Sequence, residues 1–117
     1  MPKRNSVTFK MRIRVYAGDR MLGPGKMELL TWIASTGSLS AAAKEMGMSY
    51  MRAWNLIQEL NRHPERPMVE MSRGGTRGGT AKLTAFGKKV LGLYQNMERK
   101  SARAATPDGR KLARLLQ

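Results

Sequence analysis

The chain has 117 residues, enough for one domain with a modest core. Its 22 lysines and arginines outnumber its eight aspartates and glutamates, and the resulting formal charge of +14 favours a polyanionic partner, above all nucleic acid. Cysteine is absent, which excludes disulfides, thiolate metal sites and cysteine nucleophiles. No segment approaches a membrane span of ~20 apolar residues or the apolar run of a signal peptide, so we expect a soluble, cytoplasmic protein without membrane contact.

The N-terminal part predicts a strand followed by a helix. Residues 1–8 are polar and basic, and we expect them to be flexible. Apolar and polar side chains alternate from Thr8 to Tyr16, which predicts a half-buried strand whose basic outer face protects a sheet edge. An apolar stripe then predicts a helix from about Gly25 to Thr36, which Gly37 would end in a left-handed conformation.

The segment from Ser38 to Asn61 predicts two short helices joined by a turn at Gly47. Ser38 or Ser40 can cap the first helix, and small residues at 41–43 allow its backbone to approach the second closely. The second, recognition helix spans about 49–61, and its core face carries Ala53, Leu56, Ile57 and Leu60. Its outer face carries side chains that can reach base edges in a DNA groove: Ser49, Tyr50, Met51, Arg52 and Asn55. We assign base reading to Ser49, Tyr50, Arg52 and Asn55. Alone, this pattern also fits an ordinary helical hairpin.

A glycine-rich basic hairpin, or wing, is predicted over about 68–83. Two short apolar strands flank the sequence RGGTRGGT, whose glycines let the backbone approach phosphates and whose arginines supply charge. The sequence lacks the lysine of a nucleotide-binding loop, but a flexible linker remains an alternative. The predicted DNA-backbone contacts are Lys44, Arg73, Gly74, Gly75, Arg77, Gly78, Gly79 and Lys82.

A long helix is predicted over about 84–104. Its apolar line is wider than one small core needs, which indicates a second protein chain. The predicted dimer contacts are Phe86, Val90, Leu93, Tyr94 and Met97. A break at Thr106–Gly109 would then separate this helix from a basic tail, 105–117, that could form a last short helix.

Together these elements predict a mainly α fold with a small β-sheet: a winged helix-turn-helix domain over 9–104, with a long C-terminal helix. Five runs carry a more specific pattern: GPGKMELL, TGSLSAAAKEMGMSYMRAWNLIQELN, PMVE, GGTRGGTAKLTAFGKKVL and LYQNME. Through these runs the chain, from about Phe9 to Ala104, resembles the N-terminal DNA-binding domain of the molybdate-responsive ModE-type transcriptional regulators. That domain is related in plan to the winged domains of LysR-type regulators.

The resemblance implies a homodimer that binds a near-palindromic operator in double-stranded DNA, with molybdenum-related genes as its targets. The long helix, and with it the N-terminal segment, would form the dimer interface. Full-length members of this family also carry a C-terminal oxyanion-binding region, whereas only a short tail follows Ala104 here. We therefore expect no cofactor and no molybdate site in this chain, and expect any effector to be sensed by a separate protein.

Three other classes of function are open to this sequence. A helix-turn-helix scaffold can serve as a protein-interaction module that binds another regulator or the transcription machinery. Structured RNA is a further possible partner, although the sequence shows no pair of stacking aromatic residues on a sheet. An enzyme is disfavoured because the single histidine, His63, lies in a predicted loop and the carboxylates are dispersed, so no paired acid and base can be recognised.

Overall fold

The computed structural model describes residues 8–73 and 79–117. Within these residues the predicted class is confirmed, because helices dominate and the strands form two small antiparallel hairpins. In chain order the elements are β1 (Val15–Ala17), β2 (Arg20–Leu22), α1 (Pro24–Thr36), α2 (Leu39–Glu45), α3 (Tyr50–Leu60), β3 (Val69–Ser72), β4 (Thr80–Leu83) and α4 (Ala85–Leu115). No helix among the described residues is both long enough and apolar enough to cross a membrane.

The core lies where α1, α2 and α3 meet the wing strands and the first third of α4. Its fully buried large side chains come from three of these elements and occur at helical or alternating spacing, as apolar burial requires. They are Leu29, Leu30, Ile33, Ile57, Leu60 and Val69. The three predicted core residues Ala53, Ile57 and Leu60 are buried, and Leu56 packs against the core from its edge. The inner faces of both helices of the helix-turn-helix are therefore packed into the core.

Serine or threonine side chains cap the N-termini of three helices. Ser38 Oγ accepts a hydrogen bond from the Ala41 amide at 3.1 Å, so Ser38 rather than Ser40 caps α2. Ser49 Oγ accepts from the Arg52 amide at 3.1 Å and caps α3 as predicted. These bonds satisfy amides that would otherwise lack a partner in the first helical turn.

The predicted strand from Thr8 to Tyr16 is largely wrong. Only Val15–Ala17 forms a ladder, and its partner is the next segment, β2. Residues 8–14 instead lie against α4: the Tyr94 hydroxyl donates to the Ile13 carbonyl at 2.6 Å, and the Phe9 ring covers Gly109. Of the alternating apolar residues, Phe9, Ile13 and Val15 are half-buried, whereas Met11 is 42% exposed.

The predicted break at Thr106–Gly109 is also wrong, because α4 continues through Pro107 to Leu115. Proline removes one backbone donor from a helix interior and disfavours the preceding turn. The flanking turns remain helical, and Thr106 Oγ1 donates to the Ala102 carbonyl at 2.7 Å. Contact between Phe9 and Gly109 also favours the continuous helix, since this packing needs α4 in place past the proline.

Candidate nucleic-acid interface

The turn between α2 and α3 is built from small residues. Ala42 and Ala43 are buried where the two helices cross, which allows their backbones to lie close together. Gly47 has φ of 67°, a left-handed conformation that side chains disfavour. The Met48 amide then donates to the Ala43 carbonyl at 3.0 Å and closes the turn. The predicted glycine turn is confirmed.

The outer face of α3 leaves the predicted base-reading residues exposed. Ser49, Tyr50, Arg52 and Asn55 all lie at the surface, within the first two turns of the helix. Ser49 is also engaged as the helix cap, so its hydroxyl oxygen already accepts one bond. Ser49, Arg52 and Asn55 border one concave surface, whereas Tyr50 lies on the wing side of the helix.

The far end of α3 is tied to the β1–β2 hairpin. Arg20 donates to the Leu60 carbonyl at 3.1 Å, and Arg62 binds Asp19 Oδ2 at 2.8 Å. The Arg20 bond supplies a donor to a carbonyl at the helix C-terminus, where helical partners run out. These contacts hold the helix that presents the exposed polar face.

Asn61 connects α3 to the wing. Its Oδ1 accepts from the amides of Met68 at 2.8 Å and Val69 at 3.1 Å, and its Nδ2 donates to the Val69 carbonyl at 2.9 Å. Both partner residues are buried. The side chain of Asn61 therefore fixes where β3 starts relative to the end of α3, and sequence reasoning did not identify this role.

The wing strands pair in antiparallel register, with Val69 opposite Leu83 and Ser72 opposite Thr80. At the loop end of these strands, a side chain at Gly79 would overlap the Ser72 carbonyl, so this position requires glycine. The described cations predicted to contact the DNA backbone are exposed: Lys44, Arg73 and Lys82. Gly74, Gly75, Arg77 and Gly78, predicted for the same role, lie outside the described residues.

A shallow apolar groove separates α3 from the wing. Tyr50, Met51 and Trp54 line one side, and β3 contributes Met71 to the other. Met51 is 61% exposed, Tyr50 49% and Trp54 36%, and the three form one exposed apolar surface. Sequence reasoning counted Met51 among the side chains that can reach base edges but left Trp54 out. The i, i+4 spacing of Tyr50 and Trp54, off the buried positions, was the available signal.

The predicted dimer residues fall into two groups. Leu93 is 59% exposed and Met97 46% exposed, and with Val90 they border an apolar groove beside the β1–β2 hairpin. Tyr94 is buried inside the protomer, where desolvation, and after it the Glu98 carboxylate, raises its pKa. Phe86 is half-buried, with the Arg66 guanidinium 4.5 Å from its ring centre. The structure thus leaves Val90, Leu93 and Met97 as the open part of this set.

Two helices around a glycine turn, an exposed second helix and a following β-hairpin define a winged helix-turn-helix protein. Residues 25–88 match the family described as "Bacterial regulatory helix-turn-helix protein, lysR family". The match covers more than half of the chain. The chain belongs to this family.

Among curated proteins, the chain is similar to the DNA-binding transcriptional dual regulator ModE of Escherichia coli K12, at 39% identity over 88 residues. That alignment covers 75% of this chain and 32% of the relative. It is also similar to the molybdenum-pterin-binding protein MopB of Rhodobacter capsulatus, at 43% identity over 81 residues, 69% of this chain and 30% of MopB. The resemblance to ModE-type regulators is confirmed. The chain spans about a third of the length of these relatives.

Solved structures share the fold at low sequence identity. A complex of the CbnR DNA-binding domain with DNA has a TM-score of 0.54 and 21% identity, covering 72% of this chain and 91% of the other. The E41A mutant of Lactococcus lactis ZitR has a TM-score of 0.60 and 15% identity, covering 92% of this chain and 73% of the other. Both similarities support the winged-helix assignment.

Proposed function

We propose that the chain is a DNA-binding module of a cytoplasmic transcriptional regulator that acts as a homodimer on a near-palindromic operator. The observation that carries this proposal is the exposed polar face of α3, which Asn61 connects to a basic hairpin in a protein of net charge +14. Membership of a bacterial regulatory family and similarity to ModE regulators support it. Under this proposal the chain acts by binding and not by catalysis.

The base-reading role falls to Ser49, Tyr50, Arg52 and Asn55. A guanidinium can donate two bonds to guanine O6 and N7, and an asparagine amide can pair with adenine N6 and N7. Exposure of Arg52 and Asn55 on the same face of α3 supports this division. The Tyr50 ring, together with Met51 beside it, offers an apolar contact for a thymine methyl group.

The backbone-binding role falls to cations around that face. Lys44 lies in the last turn of α2, whereas Arg73 and Lys82 lie on the wing. Phosphate contacts of this kind hold the protein in register without distinguishing bases. We extend the same role, as a proposal from sequence, to Arg77 and to the glycines at 74, 75, 78 and 79.

The dimer would form through α4. Val90, Leu93 and Met97 border an apolar groove whose opposite wall is Val15 and Leu22, and a second copy could cover it. Two α3 helices in such a dimer would read half-sites one turn of DNA apart, about 34 Å. Replacing Leu93 by glutamate should yield a monomer in sedimentation experiments. The control is the same substitution at Gln58, which is exposed on α3 and should leave the mass of the assembly unchanged.

Our proposal for the regulated genes and the effector rests on the names of the relatives. One of them, from Azotobacter vinelandii, is named "Molybdenum transport protein ModE" and is 34% identical over 77 residues. We propose molybdenum-related genes as targets. Because the similarity covers only about a third of such relatives, we assign effector sensing to a separate protein or region.

Selection of bound sequences from a random DNA pool tests the proposal. We expect an inverted repeat to be enriched, and a pool without enrichment would refute sequence-directed binding. Arg52→Ala should then relax the preference at one base pair and cost roughly 1–3 kcal/mol of operator binding. Arg73→Ala, the matched control on the wing, should weaken binding to all sequences alike and flatten the salt dependence.

The groove lined by Tyr50, Met51 and Trp54 favours one alternative, a protein-interaction module. Its exposed apolar side chains could seat a segment of another regulator or of the transcription machinery. The two functions differ in their salt dependence. A partner retained at high salt, combined with no shift of any duplex, would favour the alternative.

A further inference from the structure

The second half of α4 carries an unusual concentration of positive charge. Between Glu98 and Leu115 six cations are exposed, and they are here called the α4 basic stripe: Arg99, Lys100, Arg103, Arg110, Lys111 and Arg114. The buried residues of α4, Gly87, Leu91 and Tyr94, all precede this region. The stripe is therefore not explained by packing of the core.

The six cations lie on one side of the helix. At ~100° per residue they fall within about 120° of its circumference, over a length of ~22 Å from Arg99 to Arg114. The two carboxylates of this helix, Glu98 and Asp108, fall outside that sector. A merely solvated surface normally mixes both signs, so this arrangement indicates a ligand of opposite charge.

Continuity of α4 creates this alignment. Arg110, Lys111 and Arg114 follow Pro107, and a break there would turn them away from the three cations that precede it. Because the helix runs through the proline, both groups share one face. The contact of Phe9 with Gly109 lies on another side of the helix and leaves the stripe open.

The stripe carries internal repulsion. Arg99 and Arg103 stand four residues apart, as do Arg110 and Arg114, and like charges at this spacing destabilise a helix. Among the described residues none of the six forms an ion pair with a carboxylate, although Arg99 donates to the Asn96 side chain. A polyanion laid along the helix would relieve this repulsion.

We propose that the α4 basic stripe is a second phosphate-binding site for duplex DNA, separate from the surface formed by α3 and the wing. The proposal rests on the proposed DNA-binding function and extends it. Each strand of duplex DNA carries one phosphate per ~3.4 Å of helix axis, so phosphates are available along the whole length of the stripe. The bound segment is either flanking DNA of the same duplex or a second duplex.

An anionic membrane is the competing ligand for a basic helix. Interfacial binding requires a continuous apolar face opposite the charges. In α4 the side away from the stripe carries Glu98, Asp108 and small residues between Met97 and Leu112. This interruption favours nucleic acid.

The test compares the whole chain with two triple variants. Arg99→Gln/Arg103→Gln/Arg110→Gln removes three charges, and Arg99→Lys/Arg103→Lys/Arg110→Lys is the matched control that keeps them. Circular dichroism should show an intact helix in both, since all three residue types favour helices. Affinity for 15-base-pair and 40-base-pair random duplexes is then measured against salt concentration.

Affinity falls with salt, and each phosphate contact contributes ~0.9 to the steepness of log affinity against log salt. We expect the glutamine variant, which loses up to three contacts, to be less steep by up to about 2.7. The lysine variant should retain the wild-type steepness. A loss confined to the 40-base-pair duplex would identify flanking DNA. Loss of the ability to bridge an immobilised and a free duplex would identify a second duplex.

Three results would overturn the inference. The first is an unchanged slope in the glutamine variant while wild-type protein binds DNA, which leaves the proposed function intact. The second is equal loss in both variants, which would exclude a role for charge. The third is stripe-dependent binding to vesicles containing phosphatidylserine with no change on DNA. Wild-type protein that binds no duplex at any salt concentration would refute the proposed function itself, and this inference with it.

Discussion

Asn61→Ala gives the sharpest test of how the recognition helix and wing are held together. The substitution removes three hydrogen bonds, two accepted from the Met68 and Val69 amides and one donated to the Val69 carbonyl. Alanine cannot replace any of them. The two amides would then be buried without their partner, at residues that are 3% and 2% exposed.

The expected loss of stability is about 2–4 kcal/mol. Each intact hydrogen bond contributes a net ~1 kcal/mol, and a buried donor left unsatisfied costs ~1–3 kcal/mol. The range stays below the sum of these values because Asn61 is only half-buried, so water can reach part of the vacated site. A loss of this size is a large fraction of the ~5–15 kcal/mol that stabilises a typical domain.

Urea unfolding followed by circular dichroism would measure this loss. The matched control is Asn55→Ala on the same helix, where the side chain is exposed and the change should stay within about 0.5 kcal/mol. Conversely, Asn55→Ala should lose base preference on DNA. A loss below about 0.5 kcal/mol for Asn61→Ala would refute the reasoning that this side chain secures the start of the wing.

Three further predictions concern α4. Gly87→Ala should lower stability in thermal unfolding despite alanine's higher helix propensity, because the new methyl group would overlap the Met68 carbonyl; wild-type stability would contradict the close packing. Gly92→Ala meets nothing within 4 Å and should instead raise stability by about 0.5–1 kcal/mol in the same assay. Tyr94→Phe should cost ~1 kcal/mol at neutral pH through loss of the bond to Ile13, measured by urea unfolding. Because burial raises the Tyr94 pKa above its ordinary 10.0, the hydroxyl's contribution should be complete below pH 10 and lost as pH rises through the higher folded-state pKa, a decline that phenylalanine should lack.

The Asn61 contact also bears on binding. It joins the residue that follows the recognition helix to the first strand of the wing, so it sets the relative position of two proposed DNA-contacting surfaces. We expect Asn61→Ala to weaken operator binding even where the protein remains folded. When the contacting surfaces are already held in their bound arrangement, less free energy is lost in ordering them on binding.

Local sequence determined the helix-turn-helix and the wing. The serine caps, the small residues at 41–43 and the turn at Gly47 act within a few residues of themselves, so their conformations can be read without knowledge of the rest of the chain. The paired strands around the RGGTRGGT segment follow for the same reason, because alternation and glycine specify a hairpin locally. The exposed face of α3 then follows from helical spacing alone.

Tertiary structure decided the features that depend on contacts between residues far apart in the sequence. Residues 8–14 alternate like a strand, yet they lie against α4 because the hydrogen bond from Tyr94 to Ile13 joins residues 81 positions apart. Tyr94 itself looked available to a second chain and is instead buried by that segment. Pro107 predicted a break by its local chemistry, whereas the folded protein keeps α4 continuous and thereby aligns the six cations of the basic stripe. In each case the determining contact spans the chain, and no local pattern encodes it.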